Sequence, residues 1–314
     1  MKRRNFFLLL IVILLTACTA GGVPTQVNSI ATVEPLQTQP TADPVIETLS
    51  ATDVPDPTPT PKPPLAKDAW MQMPAVPTSV SESLREAYQR GLALGNDPTH
   101  LSVIGDCQNV SSYFLAVFEN PEDFSLGGQY AYLQPTIDYY QGSFSRKSLA
   151  VRGGFNVAAI LSPLRADPIS CDPNESPLDC ELRAWKPSVV IVSMETWWSE
   201  KPAEEYDKYM RRVIERILET GAVPILATKA DNLEGDNSIN ATIAQIAYDY
   251  DIPLWNFWAA VQPLPDHGLT PDGFHLTFAR NFFDDPVRMK SAWPWRNLTA
   301  LQTLDVVRRG LTEE

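Results

Sequence analysis

Pro187-Ser188-Val189-Val190-Ile191-Val192-Ser193 decides the fold of this chain. It is a short, unbroken, β-branched run. A strand with one face in water would alternate polar and apolar residues, so this pattern predicts a strand buried on both faces of a parallel sheet. The residues beyond it agree. Ala203 to Thr220 carries apolar residues at helical spacing, and Gly221 stands where such a helix stops. Ala222 to Thr228 is a second buried strand, Ile239 to Tyr250 a helix and Ile252 to Phe257 a third strand. Strand and helix alternate, which predicts a sheet covered by helices on both faces.

Upstream the same alternation continues. Ser81 to Leu94 reads as a helix, with Ser79 and Ser81 as candidate caps, and Leu101-Ser102-Val103-Ile104-Gly105 as a strand. Asn109 to Phe118, Leu133 to Tyr140 and Asn156 to Leu164 are expected to be helical, and Leu298 to Leu311 closes the chain as a helix. The globular domain is therefore expected to span 71–314. In such folds the site lies beyond the carboxyl ends of the strands. The places to search are the residues just after Ile104, Val192, Ala227 and Phe257.

The first seventy residues read differently. Lys2, Arg3 and Arg4 precede a short apolar run, Phe6 to Leu15, which matches a secretory signal over 1–17 and is shorter than a membrane-spanning helix. Leu15-Thr16-Ala17-Cys18 resembles the lipobox of bacterial lipoproteins, which implies cleavage before Cys18 and lipidation of its thiol. Residues 18–70 form a Pro/Thr-rich stalk, with Pro55-Asp56-Pro57-Thr58-Pro59-Thr60-Pro61 at its heart. Too little apolar surface is present there to offset the entropy of folding, so a disordered, extended spacer is expected.

Charge narrows the partners. The 314 residues include 25 Lys and Arg against 38 Asp and Glu, a net charge of −13. That balance argues against nucleic acid as a partner and against gripping an anionic lipid surface by charge alone. The expected membrane partner is reached through the lipid anchor, outside the cytoplasm. An exported chain meets an oxidising compartment, and Cys171 and Cys180 flank a short polar loop, so they are expected to pair as a disulfide. That leaves the Cys107 thiol outside the bridge; a bond from Cys107 to Cys171 or Cys180 is the other arrangement. No Cys/His pair has metal-ligand spacing and no phosphate-binding glycine loop is present, so neither metal nor cofactor is expected.

Two segments carry chemistry. Val103-Ile104-Gly105-Asp106-Cys107-Gln108 ends the first strand. Leu269-Thr270-Pro271-Asp272-Gly273-Phe274-His275-Leu276-Thr277 precedes the last helix and sets a carboxylate three residues before a histidine. A nucleophile, a base and an orienting acid are the parts of a triad. Together they resemble the SGNH/GDSL hydrolase superfamily over about residues 101–310. Gly105-Asp106-Cys107 stands where that family has Gly-Asp-Ser, and Asp272 and His275 match its closing Asp-x-x-His. The resemblance implies a three-layer α/β/α sandwich of flavodoxin-like type. It also implies an ester hydrolase with Cys107 as nucleophile, His275 as base and Asp272 orienting it. The oxyanion donors implied are a backbone N–H of Gly153 or Gly154, Gly154 being preferred, and Trp197, which stands in Glu195-Thr196-Trp197-Trp198 where the family has Asn. Cys in place of Ser is chemically sound, because a neighbouring imidazole lowers a thiol's pKa.

Two functions are expected. One is an anchored, extracytoplasmic hydrolase of acyl or acetyl esters on a cell-envelope glycan or lipid. The other, motivated by Cys107 and Trp197, is an inactive relative that binds a cell-envelope polymer in the same cleft. Trp197, Trp198, Trp255, Trp258, Trp293 and Trp295 read either as a stacking platform or as packing.

Overall fold

The computed structural model describes residues 62–66, 68–194 and 202–313. The expected signal peptide, Cys18 and most of the stalk lie outside these residues, as do Trp197 and Trp198. All the described residues belong to one compact unit, Thr60–Glu314.

Its centre is a four-stranded parallel sheet. The strands are β1 (Asp97–Gly105), β3 (Pro187–Ser193), β4 (Val223–Ala227) and β5 (Leu254–Trp255), in that order across the sheet. Two two-residue strands, β2 (Phe124–Ser125) and β6 (Asn281–Phe282), pair separately. Every residue of β3 is buried, as its unbroken β-branched run requires. Leu101 lies opposite Val189 and Gly105 opposite Ser193, and on the other side Val192 lies opposite Leu226.

The helices are α1 (Glu82–Ala93), α2 (Gln134–Tyr139), α3 (Pro177–Trp185), α4 (Pro202–Glu219), α5 (Ser238–Asp249), α6 (Phe257–Val261) and α7 (Ala292–Thr312). The steps β1 to β3 to β4 to β5 all run one way. Right-handed crossovers therefore put α3, α4 and α5 on one face. Ion pairs stitch that layer, Asp179 to Arg216 at 2.6 Å and Asp249 to Arg211 at 2.7 Å. Helices α1 and α7 cover the other face, joined where Arg85 Nε donates to the Gly310 carbonyl. In α4, Tyr206, Met210, Val213, Ile214 and Ile217 are fully buried at the spacing of one helical stripe. The result is the expected α/β/α sandwich. Among the described residues no helix is long and apolar enough to cross a membrane.

Beside β1, on its free edge, a further strand shrinks to one parallel bridge between Gly105 and Val151. Gly105 N donates to Ala150 O and Arg152 N to Gly105 O. Further down that edge, Ser143 takes over: its hydroxyl accepts from Leu101 N and donates to Thr99 O.

Several local expectations change. Residues 109–118 are not an α-helix but two 3-10 turns, Cys107–Asn109 and Ala116–Glu119. The Asn297 side chain intercepts the backbone there, accepting from Leu115 N at 2.7 Å and donating to Tyr113 O. Leu115 adopts φ 66°, a left-handed conformation that a helix excludes. Residues 156–164 form only the short 3-10 pieces Ala159–Leu161 and Pro163–Arg165. Cys180 lies not in a loop but in α3, which Ser176 caps by accepting from Asp179 N, with Pro177 at its first position. Cys171 and Cys180 are joined in a disulfide.

The packed chain takes in residues ahead of 71. Trp70 is buried, meeting Trp258 edge to face at 4.9 Å. Earlier still, Leu65 N donates to Gln245 Oε1 on α5, and Lys62 Nζ lies 3.5 Å from Asp251, just ahead of β5.

Candidate functional site

At the carboxyl end of β1 the chain makes a sharp elbow, Gly105-Asp106-Cys107-Gln108-Asn109. Gly105 is required there: a Cβ would stand 2.4 Å from Ser193 O on β3 and 2.2 Å from Asn109 Nδ2. Asp106 is buried, and its Oδ1 accepts from Gln108 N at 2.9 Å and from Asn109 Nδ2 at 3.3 Å. Asn109 Nδ2 also donates to Ser193 O at 2.7 Å, fastening the elbow to the neighbouring strand. Cys107 is half-buried and is not disulfide-bonded. This excludes the arrangement in which it pairs with Cys171 or Cys180.

Arg296 holds this elbow from α7. Its guanidinium donates to Asn109 Oδ1 at 2.9 Å and to Ser193 Oγ at 3.0 Å. Four rings surround it: Phe114 at 4.7 Å, Phe257 at 5.1 Å, Trp255 at 5.2 Å and Trp293 at 6.0 Å. The side chain is 1% exposed. Such a cage is a favourable place for a desolvated cation. The sequence did not mark Asn109 and Ser193, whose bonds to Arg296 span 187 and 103 residues, and Arg296 itself fell ahead of the helix expected from Leu298. Ser291 ahead of Ala292-Trp293-Pro294 carried the earlier start, as a cap residue with proline in the first turn.

The second segment folds on itself. Leu269 and Leu276 bridge antiparallel, Thr270 N donates to His275 O, and Thr277 N to Gly268 O. Within this turn Asp272 Oδ1 accepts from Thr270 Oγ1, Phe274 N and His275 N at 2.7–2.9 Å. Asp272 Oδ2 lies 2.6 Å from His275 Nδ1. The bond to the His275 ring, then those to the His275 and Phe274 backbone and to Thr270, hold the Asp272 carboxyl well below the usual carboxylate range. An ionised carboxylate on Nδ1 favours the tautomer that carries its proton there, which leaves the lone pair on Nε2. Both side chains are open to solvent, His275 at 64% and Asp272 at 51%.

The turn is pinned to the start of α7. Thr277 Oγ1 accepts from Ala292 N, and Trp293 N donates to Thr277 O. One turn further along α7, Arg296 reaches the Cys107 elbow. The two segments therefore stand at the same end of the sheet, the carboxyl end, where such folds place their sites.

Gly153 is next to the elbow: a Cβ on it would lie 3.8 Å from Cys107 Cβ. Gly154 follows with φ 81° and open space around its Cα. Of the two expected oxyanion glycines it is thus Gly153, not the preferred Gly154, that is seen beside Cys107.

Beyond the other strands the residues do structural work. After β4, the largely covered Lys229 lies between Asp231 at 2.7 Å and Glu234 at 2.5 Å. Burial pulls its ammonium down, but the two carboxylates outweigh that and leave its pKa raised. Trp255 is fully buried, stacked on Phe114 and donating to Thr299 Oγ1, and Trp295 Nε1 donates to Met289 O. Both pack rather than form a platform. Among the described residues, one group of metal-ligand types lies close enough to share an ion: Cys171, Glu175 and Cys180. Two of those three atoms are the disulfide sulfurs.

No family model matches the sequence, and no curated protein matches it. Solved structures do resemble it. One is the psychrotrophic esterase EstA from Pseudoalteromonas sp., inhibited by monoethylphosphonate: 13% identity, 67% of this chain and 97% of that one, TM-score 0.39. Another is TesA, at 16% identity, 67% and 95% coverage and TM-score 0.37. A third is a catalytic mutant of Axe2, an acetylxylan esterase from Geobacillus stearothermophilus, at 14% identity, 68% and 94% coverage and TM-score 0.35. The α/β architecture is a property of this chain's own sheet and does not depend on these likenesses.

Proposed function

We propose that the chain is an ester hydrolase of SGNH/GDSL type with a Cys107–His275–Asp272 triad, held outside the cytoplasm by a lipid on Cys18. The observation that carries this reading is the 2.6 Å bond between His275 Nδ1 and Asp272, at the same end of the sheet as the Cys107 thiol. In this scheme His275 Nε2 takes the Cys107 proton and the thiolate attacks the ester carbonyl carbon. The tetrahedral oxyanion accepts from the N–H groups of Cys107 and Gly154, with Trp197 as a further donor. Collapse breaks the C–O bond, and the imidazolium returns its proton to the departing alkoxide. Water, activated by His275, then cleaves the thioester, releasing the acid and restoring the thiol. Asp272 remains ionised throughout and stabilises the imidazolium. The substrates are acyl or acetyl esters on an envelope glycan or lipid.

The test is a panel of short-chain aryl esters and acetylated sugars offered to the protein and to Cys107→Ala. Hydrolysis by the parent and its loss in the variant support the thiol nucleophile. Equal rates in both, or no turnover by either, overturn it, and the cleft then stands as a binding site for an envelope polymer.

A further inference from the structure

One carboxylate holds the segment that brings Gly153 to Cys107. Beside β1 that segment has almost no ladder: Gly105 N donates to Ala150 O at 3.2 Å and Arg152 N to Gly105 O at 3.3 Å. Both bonds meet at Gly105, so they hold the segment at a single point. The second point is Glu181 on α3, whose side chain is fully buried. Its Oε2 accepts from Leu149 N at 2.8 Å and from Arg146 Nη1 at 3.3 Å. Its Oε1 accepts from Arg146 Nη2 and from Ser102 Oγ on β1. Arg146 is fixed in turn over the Trp185 ring of α3, at 4.3 Å. A strand, a helix and residues 146–149 thus meet at one carboxylate.

Beyond Leu149 the chain turns. Phe155 N donates to Arg152 O at 3.1 Å, with Gly153 and Gly154 at the corner. A Cβ on Gly153 would stand 3.8 Å from Cys107 Cβ, and Gly154 has φ 81°. The fold alone does not call for an ion pair here. Desolvating two charges offsets much of their attraction, and an apolar pair of similar volume often serves stability as well. What an apolar side chain cannot supply is an acceptor for the Leu149 amide. That acceptor matters if the corner has work to do, because a misplacement of about 1 Å at a reacting centre can cost about 10²-fold in rate.

We propose that Glu181 is a positioning residue. Through Leu149 N it sets where the Gly153-Gly154 corner stands against the Cys107 thiol, and so where the oxyanion meets its main-chain donor. This rests on the ester-hydrolase reading and adds to it a residue that touches no substrate.

Two double variants of the full chain test it. Arg146→Met/Glu181→Leu replaces the ion pair by apolar side chains and leaves Leu149 N without its acceptor. Arg146→Met/Glu181→Gln is equally uncharged but keeps an amide oxygen for Leu149 N. With a short-chain aryl ester, the Leu variant should lose kcat at least tenfold with KM within twofold of the parent. The Gln variant should keep kcat within threefold. Alkylation of Cys107 by iodoacetamide forms no oxyanion, so its rate should stay within twofold in both. Retained kcat in the Leu variant, equal loss in the two variants, or alkylation falling together with kcat would overturn the proposal, the last by marking a merely structural role. Should the Leu variant not fold, the Gln variant decides, by kcat and by protection of its Leu149 amide from hydrogen exchange; loss of either overturns the proposal. A parent that hydrolyses no ester overturns the hydrolase reading and this role with it, whereas an active parent matched by the Leu variant overturns this role alone.

Discussion

The two segments that carry the candidate chemistry are built in opposite ways. The Cys107 elbow is buried and held from a distance: its partners are Ser193 on β3 and Arg296 on α7, 84 and 187 residues from Asn109. The Asp272–His275 turn is exposed and held locally, by bonds between residues two to nine apart, and Thr277 ties it to α7. A thiol placed by long-range contacts is bound up with the stability of the fold. An imidazole placed by local contacts is nearly separable from it. Substitutions in the two segments should therefore trade activity against stability in opposite proportions.

The largest effect that sharpens this contrast is expected on rate. Asp272→Asn removes the charge from His275 Nδ1 and favours the wrong tautomer, so ester hydrolysis should fall by about 10²–10⁴-fold. Urea denaturation should find the midpoint nearly unchanged, because the group is exposed. A midpoint shifted as far as that of the elbow variants below would break the contrast.

Next comes the elbow. Arg296→Leu leaves Asn109 Oδ1 and Ser193 Oγ without this donor in a buried setting and empties the aromatic cage. It should cost about 3 kcal/mol of unfolding free energy. Near-wild-type stability would mean the elbow holds itself. Gly105→Ala is expected to cost about 1–3 kcal/mol by overpacking against Ser193 and Asn109. Its rate loss should track the displaced Cys107, read as falling thiol reactivity towards an alkylating reagent.

The smallest effect concerns pH. The Asp272 pKa is lowered in the fold, so its contribution is fully present above the ordinary carboxylate value of about 4 and is lost as pH falls through the lowered value. Protease resistance of the 268–277 turn should stay constant from pH 8 to 5 and decline only well below 4. A decline centred near pH 5 would mean that Asp272 is not held as described.

The same division governs what could be read from the sequence. Helices α1, α4 and α5 and strands β3 and β4 were legible, because burial on a regular period writes itself into neighbouring residues. So were Asp272 and His275, whose partners lie within three positions. The Cys107 segment was legible only as a short motif. Its expected helix from Asn109 is absent because Asn297, far along the chain, takes the Leu115 amide, and nothing local records that. Arg296 was missed for the same reason: a buried cation among four rings is assembled by the fold, and along the chain it is one arginine ahead of the expected last helix. The disulfide was legible from spacing, while the helix holding Cys180 was announced by Ser176-Pro177 and overlooked.

The contacts of Lys62 and Leu65 carry a mechanical consequence. They fix the incoming chain on α5 and just ahead of β5, at the amino end of the sheet. A tether drawn through residue 62 would apply its load at the pole remote from Cys107. Tension along it would reach the α5–β5 corner first, and the elbow and the His275 turn last.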